Sequence, residues 1–218
     1  MKQIEHFKSN YTIVAPDLLG HGNSPKPRQG YKFSTMVDNM ESIFKKYKKK
    51  KNIVIGHSYG VPLALYLARR QTENIQQLVL VGASIPRKSK GHGIWTLPSF
   101  ILEWMRPILS RNFVQNAFHP DTDSGFVQNE QTISDTNPMY MMKALIKGIG
   151  DVQSIHLKDI TVPSLIINGE SDGLTPVDNA RELSELLFNS KIEVVKKASH
   201  LVMMEQPDIV NQLIEDFI

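Results

Sequence analysis

The chain has 218 residues, 41% of them hydrophobic and 22% charged, with 25 Lys and Arg against 22 Asp and Glu for a formal charge of +3. That balance is ordinary for one globular domain and excludes a disordered tail, a collagen and a coiled coil. There are no cysteines, which removes disulfides, thiolate metal sites and a cysteine nucleophile together, and no apolar run reaches the roughly 18 residues a membrane span needs.

Met1 to Lys8 carry no apolar signal core, so an intracellular, cytoplasmic location is expected. Tyr11–Ala15 (YTIVA) reads as a strand, followed by turn chemistry from Pro16 to Gly30. A helix comes next, with Ser34 as its N-cap and Val37, Met40, Phe44 and Tyr47 as its apolar face. It runs into six lysines within Lys45–Lys51. Such a run suits nucleic acid or anionic lipid, but it equally complements a helix C-terminus. No nucleic-acid motif accompanies it, so the helix-end reading is preferred and no nucleic-acid partner is expected.

Asn52–Gly56 (NIVIG) is an apolar strand, Val61–Arg70 a helix and Gln77–Val81 (QLVLV) the next strand. Val162–Asn168 is a further strand, Pro176–Phe188 a helix, Lys191–Val195 the last strand, and a helix runs from Pro207 with Ile209, Val210, Leu213, Ile214 and Phe217 buried. Strands apolar on both faces and separated by helices imply a parallel sheet covered on both sides. The stretch from about Ser84 to Gly150 breaks the rhythm, with both tryptophans and many Phe and Met residues. It reads as a helical insertion over the sheet. The expected organisation is a single domain, with core 1–83 and 151–218 and a cap over about 84–150.

Gly56-His57-Ser58-Tyr59-Gly60 matches G-x-S-x-G between an apolar strand and a helix, the context that gives the motif its meaning. A sharp strand-to-helix turn would hold Ser58 Oγ out from the sheet. Small residues at 56 and 60 would let neighbouring backbone approach, and the Tyr59 N–H would be an oxyanion donor. A serine nucleophile needs a base, and the base an orienting acid. Asp172 lies in the loop after Val162–Asn168, with Glu170 as the rival acid nearer the strand end. His200, after Ser199, follows the last strand. Loops at the carboxyl ends of parallel strands meet on one edge of the sheet, so Ser58, Asp172 and His200 should converge. His57 is expected to pack beside the site, His21 to sit in a turn, and His6, His92, His119 and His156 to lie at the surface. No zinc-type spacing occurs, and neither metal nor cofactor is expected.

These motifs, with Val14-Ala15-Pro16-Asp17 leading into Gly20-His21-Gly22-Asn23-Ser24, resemble the α/β-hydrolase superfamily. Ile43-Phe44-Lys45-Lys46-Tyr47, Ile55 to Val61, and Ser199-His200-Leu201-Val202-Met203 resemble subfamily eight of the α/β-hydrolase-domain-containing proteins. The resemblance implies an α/β-hydrolase fold and a charge-relay triad of Ser58, Asp172 and His200. It also implies that the chain lacks the N-terminal strands and the His-Gly loop that supplies a second oxyanion donor. Residues up to Tyr11 resemble the end of the helix after that loop. In the superfamily's strand order, Tyr11–Ala15 and Asn52–Gly56 would flank an unfilled position. His200 with Glu205 five residues on resembles a His-x4-acid pattern of relatives that transfer acyl groups to lipids.

Two functions follow as expectations. One is a serine hydrolase for a carboxylic ester, thioester or lipid acyl bond, acting on a small-molecule or lipid substrate, with peripheral membrane contact left open. The other is a catalytically weak interaction module. The sequence leaves the substrate and the oligomeric state open.

Overall fold

The computed structural model describes residues 2–85, 93–150 and 155–218; His92 lies outside them. Four strands form one parallel sheet in the order β1 (Ile53–His57), β2 (Gln77–Val81), β3 (Ser164–Gly169), β4 (Ser190–Val195). Register is continuous across the sheet, with Ile55 opposite Val79, Val79 opposite Leu165, and Leu165 opposite Lys191. The two central strands are buried almost throughout, as a sheet covered on both faces requires.

One face is covered by α3 (Gly60–Arg70) and α8 (Val177–Leu186), whose Leu65, Ala68 and Leu183 pack with Leu78, Leu80 and Ile166. The other face is covered by α1 (Lys2–Phe7), α9 (Val202–Glu205) and α10 (Pro207–Glu215), where Phe7, Val202, Val210 and Ile214 meet Val79, Val81, Leu165 and Ile167. At roughly 1.5–3 kcal/mol per fully buried large aliphatic side chain, these two layers hold the sheet together. Ile209 is the exception to the expected stripe on α10, being 47% exposed.

The strand expected over Tyr11–Ala15 does not form. The segment has no regular secondary structure, its Tyr11, Ile13 and Val14 are exposed, and it joins no ladder among the described residues. β propensity alone does not make a strand, because an isolated extended segment has neither ladder bonds nor a packed face. Nor does it cross to β1, whose outer edge carries an exposed Ile55. The other strands and helices whose bounds are read from the sequence lie within two residues of them. Helix α2 (Phe33–Tyr47) starts one residue before the expected cap, and Lys32 occupies that position without a side-chain bond. The first lysines of the run finish α2: Lys45 and Lys46 lie in its last turn, Lys45 pairing with Glu41 at 2.9 Å, and Lys48 is its C-cap with Nζ donating to Asn74 at 3.0 Å, while 49–51 lie beyond it.

Between β2 and β3 the chain forms α4 (Ser99–Trp104), α5 (Arg106–Ala117), α6 (Ser124–Asp135) and α7 (Met139–Gly150). Asp123 caps α6 by accepting from the Phe126 N–H at 2.8 Å. Helix α7 packs on α2 through Met141 and Leu145, which share a cluster with Phe33, Met36 and Val37.

Candidate active site

β1 ends at His57, and the chain turns at Ser58 straight into α3. Ser58 has φ 50, a left-handed conformation that costs a non-glycine residue of order 1–3 kcal/mol. The turn is held by the Ser58 N–H donating to Val81 O at 3.0 Å and the Val61 N–H donating to Ser58 O at 2.9 Å. Gly56 is needed for this crossing, since a Cβ there would stand 2.6 Å from the Gly60 carbonyl oxygen. Gly60 itself has open space beside it, so only one of the two expected close approaches falls on a missing side chain. The Tyr59 N–H makes no hydrogen bond among the described residues and lies at the N-terminus of α3. The Tyr59 phenol oxygen is buried with no hydrogen-bond partner among the described residues, and burial pushes its pKa up to about 12.

Asp172 follows β3 and His200 follows β4, so both lie at the same sheet edge as Ser58. His200 is 3% and Asp172 5% exposed. His200 Nδ1 lies 2.9 Å from Asp172 Oδ2. The other acceptor sites of Asp172 are filled: Oδ1 accepts from the Leu174 and Thr175 N–H groups, and Oδ2 accepts from Thr175 Oγ1 at 2.7 Å. Burial alone would raise the Asp172 pKa, but His200 and the Thr175 donors outweigh it and leave it below the usual carboxylate value. Glu170, the rival acid, is exposed and makes no contact with His200.

His57 sits against the same histidine. Its Nε2 donates to the His200 carbonyl oxygen at 2.9 Å, and the two rings are 4.8 Å apart between centroids. Part of His57 stays accessible to solvent, yet burial, then the neighbouring His200, push its pKa down to about 4. It is therefore a neutral donor at pH 7. Gly82, with φ +55, leaves room for both rings: a Cβ there would lie 3.1 Å from His200 Cε1 and Nδ1. Asp172 and His200 are thus joined directly. Ser58 lies at the end of β1 on the same sheet edge, next in sequence to the His57 that bonds the His200 carbonyl, and among the described residues its Oγ makes no hydrogen bond to His200.

Several contacts around this site lie beyond the sequence reading, which picked out Glu205 only by its spacing from His200. Thr175 bridges Asp172 and the His200 ring, with Oγ1 at 3.1 Å from Nδ1. Asn168 is fully buried and ties the Ala83 N–H to the Thr175 carbonyl. Glu205 accepts from the Ser199 N–H at 2.7 Å through one oxygen and from the His119 N–H and Thr122 Oγ1 at 2.6 Å through the other. The end of α5 is stitched to both loops, because Asn116 O accepts from the Gly173 N–H and Ala117 O from the Leu201 N–H. The Thr175-Pro176 step at a helix start was the one local signal available; the other contacts join residues far apart in the chain. A cavity of about 210 Å³ between α5, α6 and Leu201 includes none of Ser58, Asp172 and His200. Among the described residues no group of side chains is suited to hold a metal ion.

A family model described as Hydrolase_4, serine aminopeptidase S33, matches residues 5–207. Protein ABHD8 from Homo sapiens is 29% identical over 230 residues, which take in 100% of this chain and 51% of that protein. The chain spans about half the length of the curated ABHD8 relatives it matches. Among solved structures, an esterase (EaEST) from Exiguobacterium antarcticum superposes with a TM-score of 0.87 at 20% identity, covering 99% of this chain and 85% of that one. A thermophilic esterase from Thermogutta terrifontis superposes with a TM-score of 0.86 at 19% identity, covering 99% and 82%.

Proposed function

The chain belongs to the serine aminopeptidase S33 family of α/β-hydrolases, and on that footing we propose that it carries the acyl-transfer site of a serine hydrolase, with Ser58 as nucleophile, His200 as base and Asp172 as orienting acid. The observation that carries this reading is the buried Asp172–His200 pair beside a serine held in a left-handed turn. With Nδ1–H committed to Asp172, the His200 nitrogen left to take the serine proton is Nε2. The charge then formed on the ring faces a carboxylate whose other acceptor sites are satisfied, so Asp172 need not reorganise. The Tyr59 N–H and the start of α3 stabilise negative charge developing on the substrate oxygen. The acyl group passes to Ser58 Oγ, the leaving alcohol or thiol takes the proton back from His200, and water repeats the sequence to release the acid.

Both oxygens of Glu205 accept bonds from the chain's own donors, which supports water as acceptor over a lipid hydroxyl activated by Glu205. The substrate class we propose is a carboxylic ester, thioester or lipid acyl bond, met at the edge of a membrane. No helix among the described residues is long and apolar enough to cross one. The segment α4–α7 is the cap that sets chain-length preference. The test is hydrolysis of p-nitrophenyl esters of graded chain length by the wild type and Ser58→Ala; turnover that persists in the variant removes Ser58 as nucleophile.

A second reading, an interaction module, is favoured by one observation: the outer edge of β1 is unpaired and its Ile55 is 49% exposed. Unpaired strand edges bind other strands. A folded chain that neither labels with a fluorophosphonate nor turns over any ester would select this reading.

A further inference from the structure

Helix α4 turns its apolar residues the wrong way for a core. Leu102 is fully buried, but Phe100 is 74% and Trp104 82% exposed, and Ile108 at the start of α5 is 57% exposed. The chain passes from α4 to α5 through a single turn residue, Met105, whose backbone stays in the right-handed helical region (φ −81, ψ −3), whose N–H bonds to Ile101 O and whose carbonyl accepts from the Leu109 N–H. Phe100, Trp104 and Ile108 therefore stand one turn apart on a single outward face. At roughly 150–250 Å² per large side chain, this stripe exposes on the order of 400 Å². That is about half of what one partner contributes to a standard protein interface, and it is large for a bare surface.

Charge around the stripe is net positive. Glu103 is occupied by Arg106, 2.6 Å away. Arg111, one turn beyond Ile108, is exposed and forms no ion pair among the described residues. Lys143 of α7 reaches the carbonyl oxygens of Thr96 and Leu97 just ahead of α4. An exposed tryptophan and phenylalanine with cations at either end match a lipid headgroup region better than a protein groove. Indole rings settle at the water–hydrocarbon boundary, and nearby Lys and Arg are attracted by anionic lipid.

We propose that the Phe100–Trp104–Ile108 stripe docks this protein on the surface of an anionic lipid bilayer. The proposal rests on the membrane-edge part of the functional reading above and gives it a face, a polarity and a lipid charge. Docking needs no turnover, so its test is independent of Ser58.

The experiment is co-sedimentation of the full chain, as Ser58→Ala, with phosphatidylcholine vesicles with and without phosphatidylserine. Tryptophan emission is recorded in parallel in a Trp95→Phe background, which isolates Trp104. The expected result is binding to the anionic vesicles, a blue shift of Trp104, and binding at least about tenfold weaker in Phe100→Ser/Trp104→Ser/Ile108→Ser. Arg111→Glu should weaken binding less, and added salt should weaken it throughout. A circular dichroism melt keeps the comparison to folded protein, and single Trp104→Ser serves if the triple variant is unfolded. Wild-type indifference to anionic vesicles, or equal binding by the variant, overturns the proposal. So does a vesicle-free dimer that the triple variant dissolves, which would assign the stripe to a second copy. Vesicle binding without fluorophosphonate labelling of Ser58 in the parent chain would leave docking standing and the hydrolase reading fallen.

Discussion

Replacing Glu205 by alanine removes the acceptor for three donors at once. The Ser199 N–H, the His119 N–H and Thr122 Oγ1 all bond to its carboxylate at 2.6–2.7 Å. Ser199 is 1% exposed, so its N–H cannot turn to water and is left unsatisfied, at a cost of about 1–3 kcal/mol. His119 and Thr122 are half-buried and recover part of their bonding from solvent. The total expected for Glu205→Ala is therefore about 2–4 kcal/mol, the loss of a charged acceptor being at the upper end of the range. For a chain of this length each kcal/mol lowers Tm by about 2–4 °C, so the melt should fall by roughly 4–16 °C. Glu205→Gln keeps one acceptor oxygen and should lose about half as much. Because Ser199 precedes His200, kcat should drop in both variants even at temperatures where they are fully folded. A Glu205→Ala melt within about 1 °C of wild type would refute the reasoning, since it would mean these buried donors find equivalent partners without the carboxylate.

Asp172→Asn removes the charge that holds the His200 Nδ1 proton, and kcat should fall by about 10³–10⁴-fold in single-turnover ester hydrolysis. Gly82→Ala places a Cβ 3.1 Å from the His200 ring at φ +55. It should cost roughly 1–2 kcal/mol from backbone conformation in a urea titration and shift kcat rather than KM. His57 ties stability to pH. The unfolded chain takes up a proton below about pH 6.5, which the folded chain refuses until about pH 4. Its contribution is therefore full above pH 6.5 and is lost as pH falls toward 4, by on the order of 2 kcal/mol given the ring's partial accessibility. Urea titrations across that window should show a shallower slope for His57→Gln, whose amide N–H can still donate to His200 O. The corresponding loss from Asp172 comes lower, as pH falls below its unfolded value near 3.8.

Most of the fold was legible because its determinants are local. The apolar runs at Gln77–Val81 and Ser164–Gly169 are bounded by turn residues and flanked by amphipathic helices, and each became a strand of the parallel sheet. Tyr11–Ala15 carries the same local signature and failed for a non-local reason: no neighbouring strand lies beside it to bond. Ser58, Asp172 and His200 could be placed at one sheet edge from chain order alone, because every strand of a parallel sheet ends on the same side. What the sequence did not reveal was the support around them. Thr175, Asn168, Glu205 and the carbonyls of Asn116 and Ala117 act through contacts that only the folded chain creates. His57 was expected to pack, and its role as a neutral donor to the His200 carbonyl depends on a depth of burial that a single sequence does not express. Phe100 and Trp104 illustrate the opposite case: the stretch that holds them reads as a helical insertion over the sheet, but which of its aromatic side chains face inward was not legible, and α4 buries Leu102 and turns both rings to solvent.

The central claim is that Ser58 is a nucleophile driven by His200. Fluorophosphonate labelling of the folded chain, followed by peptide mapping, tests it most directly. The expected result is a single adduct on Ser58, absent in Ser58→Ala, which should melt like the parent, and formed several orders of magnitude more slowly in His200→Ala, compared at a temperature where that less stable variant is still folded. A folded chain that takes up no label, or one whose label at Ser58 forms equally fast without His200, would contradict it.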